Sequence, residues 1–368
     1  MPNDTRTLTR ADYVSDEVYE LERQRIFHGG WMLAARADRL QPGNRTVVEL
    51  AGESVLITRD LDGRLHALAN VCRHRGARLC DQHTDSGQGS LMCPYHAWTY
   101  ALDGRLIATP HLDNDDIDKA SFPLWKYHVR EWQGFVFVSV AAEPPEFEQW
   151  MLTHCADLLA LERWGFGGLQ VAVTTSCDIA ANWKVIVENY QECLHCTRVH
   201  PELVELVPVY RTGWVTDHTR PDGGVTLSSG YSMEAGPSSL PVLPGISELD
   251  ARSYYGGTIF PNAFIDVTGT CAILSTLFPK GPGLTTMTME FMFMPDTIAA
   301  PGFDPSAVVD FNELVAAQDN MVCERVQQGV SSRAFSHGVL SPKDDLVVAF
   351  THHYLAARGP VDASISAR

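Results

Sequence analysis

The sequence predicts a mixed fold that contains both helix and strand, with strands dominating the first part. Within residues 46–140, Asp-Gly pairs at 62–63 and 103–104 separate apolar runs, which is a strong hairpin pattern. Two later stretches, 182–195 and 305–329, repeat apolar residues with the period of a helix. A strand-rich part should therefore precede a part that mixes helices with strands.

The remaining elements follow from local patterns. Residues 16–28 are typical of a short amphipathic helix that two glycines close. GFVFVSV, at 134–140, is expected to be a buried strand, and AAEPPE after it to be a boundary. The second part should open with a helix at 151–164 and continue with four strands: VAVTTSCD, TIFPNAFIDV, CAILSTLF and TTMTMEFMFM. The last strand puts four apolar side chains on one face, which predicts sheet core: Met287, Met289, Phe291 and Phe293.

The composition is that of an ordinary soluble protein, with 45% hydrophobic and 20% charged residues. The net charge of −17 argues against nucleic acid or an anionic membrane as a partner. No signal-peptide pattern opens the sequence and no apolar run could span a bilayer, so we expect a cytoplasmic protein. Its nine cysteines are then expected to be metal ligands and buried apolar residues rather than a disulfide framework.

Residues 221–248 are rich in glycine, proline and serine, which together fill fifteen of the twenty-eight positions. A loop of this length is usually functional or disordered. We interpret it as a lid over a pocket, with disorder as the alternative.

Four residues with metal-binding side chains occur in two short motifs. VCRHRG contains Cys72 and His74, and MCPYHAW contains Cys93 and His96. Two thiolates and two imidazoles suit tetrahedral zinc. They also suit a [2Fe–2S] cluster with both imidazoles on one iron, whose potential lies at about −150 to +300 mV. The residues alone leave both possibilities open.

A second potential metal site combines His195 and His200 with Asp319. Asp319 lies on the apolar stripe of the last predicted helix, where an unpaired carboxylate is costly. Two histidines and one carboxylate form the facial ligand set of iron(II) oxygenases, which leaves open positions for O₂ and substrate. A regular helix would not align histidines five residues apart, so Pro201 is expected to end the helix and turn His200 inward. Asp266 is the next candidate if Asp319 is not the ligand.

Cys193 and Cys196 flank His195 with the spacing Cys-x-x-Cys. Such a pair can be a redox disulfide, but no βαβ pattern precedes it. We interpret both as buried thiols.

The motifs CRHRG and CPYHAW, at this spacing, resemble those of Rieske non-haem iron oxygenases, although Ala97 stands where that family usually has glycine. ENYQECLHCTRVHP resembles the family's iron-binding helix, and QDNMVCERVQQGVSSR resembles the helix that carries the third ligand. The resemblance implies a [2Fe–2S] cluster on the first set of residues. It implies mononuclear iron(II) on the second set: His195, His200 and Asp319.

The fold that this resemblance implies is α+β, with a small all-β Rieske domain and a catalytic domain. In the catalytic domain a curved antiparallel sheet would wrap around a long helix. The expected boundaries are 1–44 for an N-terminal segment that packs on the catalytic domain, 45–145 for the Rieske domain and 146–368 for the catalytic domain.

Glu192 precedes His195 by three residues, which is the spacing of one helical face. In the family an acidic residue here bridges a Rieske histidine and an iron ligand, which implies a path from His96 through Glu192 to His195. The family uses the cluster of a neighbouring subunit, which implies a ring-shaped homotrimer. No dinucleotide or flavin motif occurs in the sequence, so a separate ferredoxin or flavin reductase should deliver electrons from NAD(P)H.

The iron-helix segment and Glu192 look most like the group of glycine betaine monooxygenase, stachydrine demethylase and carnitine oxygenase. That group hydroxylates an N-methyl group and releases formaldehyde, so we expect a quaternary N-methyl amine that also carries a carboxylate. Tyr254, Tyr255 and Phe260 are expected to hold the ammonium by cation–π attraction, worth about 0.5–2 kcal/mol per ring, with sheet core as the alternative. The alternative functions are a ring-hydroxylating dioxygenase of an aromatic acid and a zinc-stabilised binding protein without redox chemistry.

Overall fold

The structure is a computed structural model that describes residues 6–81, 89–234 and 240–361. The chain divides into two compact units: Phe27–Thr153 forms the first, and the segments before and after it together form the second. A boundary was expected at residue 44, but residues 27–44 belong to the first unit, because strand β1 (Met32–Arg36) joins its sheet. None of the described helices combines the length and the apolar character needed to cross a membrane.

The described residues contain eleven α-helices and fifteen strands. The helices are α1 Arg10–Val14, α2 Asp16–Glu22, α3 Phe147–His154, α4 Ala156–Ala160, α5 Trp183–Tyr190, α6 Cys196–Val199, α7 Pro201–Leu206, α8 Glu248–Ala251, α9 Pro295–Ile298, α10 Ser306–Val330 and α11 Asp345–Arg358. The strands are β1 Met32–Arg36, β2 Arg45–Leu50, β3 Glu53–Arg59, β4 Leu65–Ala69, β5 Ser90–Met92, β6 Thr99–Ala101, β7 Leu106–Ala108, β8 Lys126–Trp132, β9 Phe135–Ser139, β10 Gln170–Ile179, β11 Val225–Thr226, β12 Ser253–Ile259, β13 Ala263–Val267, β14 Ala272–Gly281 and β15 Leu284–Phe293.

The first unit contains two antiparallel sheets, with strand orders β1-β9-β8-β4-β3-β2 and β5-β6-β7. Both predicted Asp-Gly hairpins are confirmed, between β3 and β4 and between β6 and β7. Gly63 and Gly104 have φ of 83° and 89° there, a conformation that favours glycine. An apolar cluster that includes Leu91, Trp98 and Tyr100 surrounds the two cysteines of the CRHRG and CPYHAW motifs.

The second unit is built on one antiparallel sheet of order β10-β15-β14-β13-β12-β11. Three of the four predicted strands are confirmed, as β10, β14 and β15, and the apolar face of β15 is buried at all four predicted positions. The fourth, TIFPNAFIDV, was predicted as one strand, but a turn at 260–262 divides it between the end of β12 and β13. Asp266 pairs across the sheet with Ile273, which pairs with Phe291. Directly opposite residues share a face, so Asp266 lies on the same face of the sheet as the Met and Phe residues of β15.

Helix α5, which leads to the predicted iron ligands, is fixed at its first turn by buried polar contacts. Asn182 caps the helix by accepting a hydrogen bond from the N–H of Lys184, and its own N–H donates to Gln327 of α10. The ammonium of Lys184 lies 2.5 Å from the carboxylate of Glu22, and both side chains are fully buried. Trp183 and Tyr354 donate to the same carboxylate, which compensates the burial of this charge pair.

The long helix predicted at 305–329 is confirmed as α10, but its buried stripe differs from the predicted one. Beyond Asp319 the buried residues are Cys323, Gln327 and Val330, whereas Val326 is 42% exposed. Gln327 takes the buried position because its side-chain Oε1 accepts a hydrogen bond from the backbone N–H of Asn182, the residue that caps α5. A further helix, α11, follows α10 and was not predicted.

Part of the predicted 221–248 loop pairs with a neighbouring strand. β11 lies within it and pairs with β12, and Leu227, Met233 and Leu243 are buried. Residues 235–239 lie outside the described part of the chain, so the interpretation as a lid stays a prediction.

Two imidazoles meet between the end of α3 and helix α11. Nδ1 of His154 lies 2.8 Å from Nε2 of His353, so one nitrogen donates and the other accepts. The ring of Phe260 stacks on His154 at 5.5 Å. Burial and the neighbouring His353 lower the pKa of His154 to about 4, and burial also lowers the pKa of His353.

Acid should therefore destabilise the fold through this pair. Both imidazoles are neutral in the folded protein, whereas an unfolded histidine takes up a proton below about pH 6.5. The stability contribution is complete above about pH 6.5 and is lost as the pH falls towards 4. We expect His154→Gln to reduce the loss of unfolding free energy between about pH 7.5 and 5 by about 1 kcal/mol, a value discounted for the partly exposed ring. Urea unfolding measures this, with His352→Gln, at an exposed neighbour, as the control; equal pH dependence in wild type and His154→Gln would contradict the prediction.

Candidate metal centres

The two Cys/His motifs fold into loops with the same backbone hydrogen bonds. In the first loop Cys72 donates to the carbonyl five residues later, and Gly76 donates back to the carbonyl of Cys72. In the second loop Cys93 and Ala97 make the same pair of bonds. The two thiols therefore occupy equivalent loop positions, whereas His74 and His96 lie two and three residues after their cysteines.

The side chains in these loops fit a metal group. Cys72 and Cys93 are buried, and both are free thiols. The rings of His74 and His96 lie 4.7 Å apart. Nδ1 of His96 is buried without a hydrogen-bond partner among the described residues, and a metal ion would satisfy it.

A zinc ion and a two-iron cluster both take two thiolates and two imidazoles, so these four side chains are compatible with either group. Elsewhere in the described ranges, one group of His and acidic side chains brings its donor atoms within 4.8 Å of one another.

That convergent group consists of His195, His200 and Asp319. Oδ1 of Asp319 lies 2.8 Å from Nε2 of His200 and 3.2 Å from Nε2 of His195. Asp266 is elsewhere in the unit and contacts tyrosines, so Asp319 is the carboxylate that meets both imidazoles. Two imidazoles and one carboxylate with open positions suit iron(II).

The chain brings the two histidines together by interrupting its helix twice. We expected one helix through His195, but α5 ends at Tyr190, and His195 is the N-cap residue of the separate helix α6. His200 has non-helical φ and ψ of −125° and 67°, and Pro201 starts α7 directly after it. These breaks remove the misalignment that five residues of regular helix would cause.

The outer nitrogen of each imidazole has an oxygen partner. Nδ1 of His200 donates to the side-chain Oε1 of Gln318 at 2.7 Å, and Nδ1 of His195 donates to the carboxylate of Glu192 at 2.6 Å. Both bonds leave Nε2 as the nitrogen that faces Asp319, and this nitrogen can bind a metal once its proton is displaced. Gln318 was not predicted from the sequence, although its position next to Asp319 was an available signal.

The same carboxylates prepare the site for positive charge. Burial lowers the pKa of His195, but hydrogen bonds and charge from Asp319 and Glu192 outweigh burial and raise that pKa to about 9. Burial raises the pKa of Asp319, but its two histidine partners hold that pKa below the ordinary value. Stabilised positive charge at these atoms is compatible with a bound divalent cation.

Glu192 also fixes the backbone of the site. Its second carboxylate oxygen accepts hydrogen bonds from the N–H groups of Leu194 and His195. Glu192 therefore meets His195 across a turn, rather than along one helical face as the spacing suggested.

Cys193 and Cys196 form a disulfide, which corrects the expectation that both are free thiols. Cys193 lies in the turn between α5 and α6, and Cys196 is the first residue of α6, so this turn brings the two side chains together. Sγ of Cys196 lies 3.8 Å from Nε2 of His195.

A buried carboxylate with tyrosines adjoins this segment. Tyr190 and Tyr254 both donate to Oδ1 of Asp266, at 2.7 and 2.6 Å. Burial raises the pKa of Asp266 to about 6, while the two tyrosine bonds oppose the shift. Burial and the charge of Asp266 raise the pKa of Tyr210, which lies in one apolar cluster with Tyr254 and the disulfide. This tyrosine group was missed because its members are distant in sequence.

The other two aromatic residues named from the sequence have different surroundings. The hydroxyl of Tyr255 contacts Asp222 and Asp250, and the guanidinium of Arg220 lies 5.6 Å from its ring centre. Phe260 packs against the histidine pair of α3 and α11. Tyr255 and Phe260 thus contact protein groups, as Tyr254 does at Asp266, and a role of the three in substrate binding stays a prediction.

Comparison with known proteins identifies the family. Residues 166–358 match the model described as "Ring hydroxylating alpha subunit (catalytic domain)", and residues 30–131 match the "Rieske [2Fe-2S] domain". The chain belongs to the ring-hydroxylating alpha-subunit family and carries a Rieske domain. It is an iron-dependent oxygenase, and the expected α+β fold, iron–sulfur cluster and non-haem iron are confirmed at this level.

Particular relatives narrow the comparison. The glycine betaine monooxygenase oxygenase subunit of Pseudomonas aeruginosa is 28% identical, with 91% of this chain and 85% of the relative covered. The carnitine monooxygenase oxygenase subunit of Escherichia coli (strain K12) is 28% identical, with 91% and 87% covered. A solved structure of a quaternary ammonium Rieske monooxygenase, reported with insights into carnitine oxidation and inter-subunit electron transfer, has a TM-score of 0.81 at 25% identity, with 98% and 97% covered.

Removing the shared carboxylate should empty the mononuclear site selectively. We expect Asp319→Ala to lose mononuclear iron and to keep the visible absorption of the cluster, because its nearest polar contacts are the two histidines. The measurement compares the iron content of the purified variant with the visible absorption of its cluster. Asp310→Ala, an exposed carboxylate on the same helix, is the matched control and should bind iron normally. Unchanged mononuclear iron in Asp319→Ala would mean that another carboxylate is the ligand.

The equivalent positions of the two cluster loops should respond in opposite directions. Gly76 and Ala97 have φ of 73° and 55°, so the methyl group of Ala97 is held in a left-handed conformation. We expect Gly76→Ala to cost about 1 kcal/mol, and Ala97→Gly to be neutral or stabilising by up to about 1 kcal/mol. The urea concentration at which the cluster absorption is lost measures the change in stability for both variants. Destabilisation by Ala97→Gly would show that the methyl group contributes packing that outweighs its strain.

Proposed function

We propose that this protein is the oxygenase component of a multicomponent system that removes an N-methyl group from a quaternary amine. The observation that carries the proposal is the similarity, over nine-tenths of the chain, to oxygenase subunits named for glycine betaine and carnitine. A separate reductase would supply the electrons of NAD(P)H, and O₂ would be the oxidant.

The reaction balances as a monooxygenation. One oxygen atom of O₂ enters a C–H bond of the N-methyl group, and the other leaves as water with two protons and two electrons from the reductase. The hydroxymethyl amine then breaks its C–N bond and gives formaldehyde, the demethylated amine and a proton. When bound, the [2Fe–2S] cluster supplies electron transfer and the mononuclear iron supplies O₂ activation.

The residues around Asp266 support a cationic substrate. A quaternary ammonium has no N–H to donate, so it is recognised by aromatic faces and by negative charge. Tyr190 and Tyr254 donate to the Asp266 carboxylate, and Tyr254 and Tyr210 share an apolar cluster with the disulfide that flanks His195. We infer that this group holds the ammonium near the iron ligands.

A substrate panel tests the proposed reaction. Enzyme with both metal groups, a surrogate reductase, NAD(P)H and O₂ should release formaldehyde from at least one methylated amine in a panel of choline, glycine betaine, stachydrine and carnitine. Benzoate and salicylate serve as the comparison. Hydroxylation of these aromatic acids, with no formaldehyde from any amine, would replace the proposal by ring dioxygenation. Protein with zinc and no iron or sulfide, after anaerobic purification, would support a binding protein without redox chemistry.

We infer that Glu192 connects the two metal groups. Its carboxylate is hydrogen-bonded to His195 and is still 19% exposed, so a second imidazole has access to it. In the proposed path that imidazole is His96, whose ring is half-buried at the tip of its loop. The carboxylate would hold both imidazoles in one hydrogen-bonded path.

Loss of this carboxylate should slow electron transfer while both metal groups remain. We expect Glu192→Ala to lower substrate-coupled turnover and the rate of cluster reoxidation about 10- to 100-fold. Single-turnover mixing of reduced enzyme with O₂ and substrate follows the cluster absorption directly. Glu205→Ala, an exposed glutamate on α7, is the control. A normal reoxidation rate with both metal groups occupied would remove the bridging role.

We further propose that His96 and Glu192 of one path come from different subunits of a homotrimer. This arrangement predicts complementation between two inactive variants, Cys93→Ser without a cluster and Asp319→Ala without mononuclear iron. Equal mixtures assembled together should recover about a quarter of wild-type turnover, because half of the donors and half of the acceptors at each junction are intact. No recovery in a verified mixed trimer would place electron transfer within single chains.

A further inference from the structure

Glu234 is a buried carboxylate that the described fold does not satisfy. Its side chain is 4% exposed, and Oε1 has no hydrogen-bond partner among the described residues. A buried acceptor without a partner is costly, about 1–3 kcal/mol and more when it is charged. Such an atom is explained if a ligand supplies the missing donor.

The backbone around Glu234 is held in place. Its neighbour Met233 is buried, and the Met233 carbonyl accepts a hydrogen bond from Asn312 of α10. The hydroxyl of Ser232 contacts that of Thr270, in the turn between β13 and β14. These contacts fix Glu234 between the long helix and one end of the sheet.

The charges of Glu234 and Asp266 both influence Cys271, at the start of β14. The thiol of Cys271 is fully buried, and after burial the charges of Glu234 and Asp266 raise its pKa. Met233 also lies in the apolar cluster that contains Tyr210 and touches Tyr254. The unsatisfied carboxylate therefore adjoins the tyrosine group assigned to the substrate ammonium.

The sheet leaves space for this group at Gly256. A Cβ atom there would come 2.7 Å from the hydroxyl of Tyr190 and 2.8 Å from that of Tyr254. Both hydroxyls donate to Oδ1 of Asp266, and no described residue donates to Oδ2. One oxygen of Asp266 and one of Glu234 thus remain available as acceptors.

No described basic side chain balances these two carboxylates. Arg220 is paired with Asp222, and Arg163 is paired with Asp250. The buried Lys184 is paired with Glu22. A ligand carboxylate would meet two negative charges here and no free cation, which disfavours its binding.

We propose that Glu234 and Asp266 select a methylated amine that carries a hydroxyl or a second protonated amine, and no carboxylate. This inference rests on the proposed function. The ammonium is held by the tyrosine faces and the charge of Asp266, and the donor at the other end of the substrate bonds to Oε1 of Glu234. The substrate expected from the sequence carried a carboxylate, whereas the one proposed here carries none.

Anaerobic binding to the metal-loaded enzyme tests the selection without turnover. The probes are choline with a hydroxyl, an N-trimethylated diamine with a second charge, and glycine betaine with a carboxylate. We expect choline or the diamine to bind at least about tenfold more tightly than glycine betaine, which corresponds to about 1.4 kcal/mol. The tighter of the two distinguishes a hydroxyl donor from an ammonium donor.

The variant Glu234→Gln keeps the size of the side chain and removes its charge. We expect it to lower the ratio of choline or diamine affinity to glycine betaine affinity towards one, with unchanged cluster absorption as the check on folding. Glu205→Gln, at an exposed position, should keep the wild-type ratio. Asp266→Asn provides a second variant and should weaken all three ammonium ligands together.

The outcomes separate this inference from the proposed function. Wild-type enzyme that binds glycine betaine as tightly as choline and the diamine, or a Glu234→Gln ratio equal to that of wild type, would overturn the inference alone if formaldehyde is still released. Absence of binding and of formaldehyde with every methylated amine would overturn both.

Discussion

One carboxylate oxygen, Oδ1 of Asp319, determines the geometry of the mononuclear site. It approaches the Nε2 atoms of His200 and His195 at 2.8 and 3.2 Å, although the histidines and Asp319 come from distant parts of the chain. A carboxylate on the side of a helix that faces the protein interior is costly unless a positive charge or a metal ion compensates it. The interruptions of helix at 191–195 and at His200 are the means by which the chain provides that compensation.

The surroundings of the site extend this charge arrangement outward. Gln318 and Glu192 accept from the outer nitrogens of the two imidazoles and so leave Nε2 of each ring facing Asp319. Beyond them, Tyr190 and Tyr254 donate to the buried carboxylate of Asp266, and we propose that this group holds the substrate ammonium. The same preference for positive charge therefore appears at the metal and in the proposed substrate pocket.

The sequence predicts those parts that local patterns encode. The Asp-Gly hairpins, the long helix α10 and the unusual carboxylate on its stripe are visible at short range. Contacts between distant segments leave no such pattern, which explains why Gln327, the Asp266 tyrosines and the unsatisfied Glu234 were missed. Local spacing also misled where the chain bends, because Glu192 reaches His195 across a turn and not along a helix.

The content of iron, labile sulfide and zinc in anaerobically purified protein, combined with Mössbauer spectroscopy, tests the central claim most directly. The account predicts about three irons and two sulfides per chain, with a high-spin ferrous component separate from the cluster. Asp319→Ala should lose that component alone. Zinc without sulfide, or a cluster with no separate ferrous component after iron loading, would contradict the assignment of both centres.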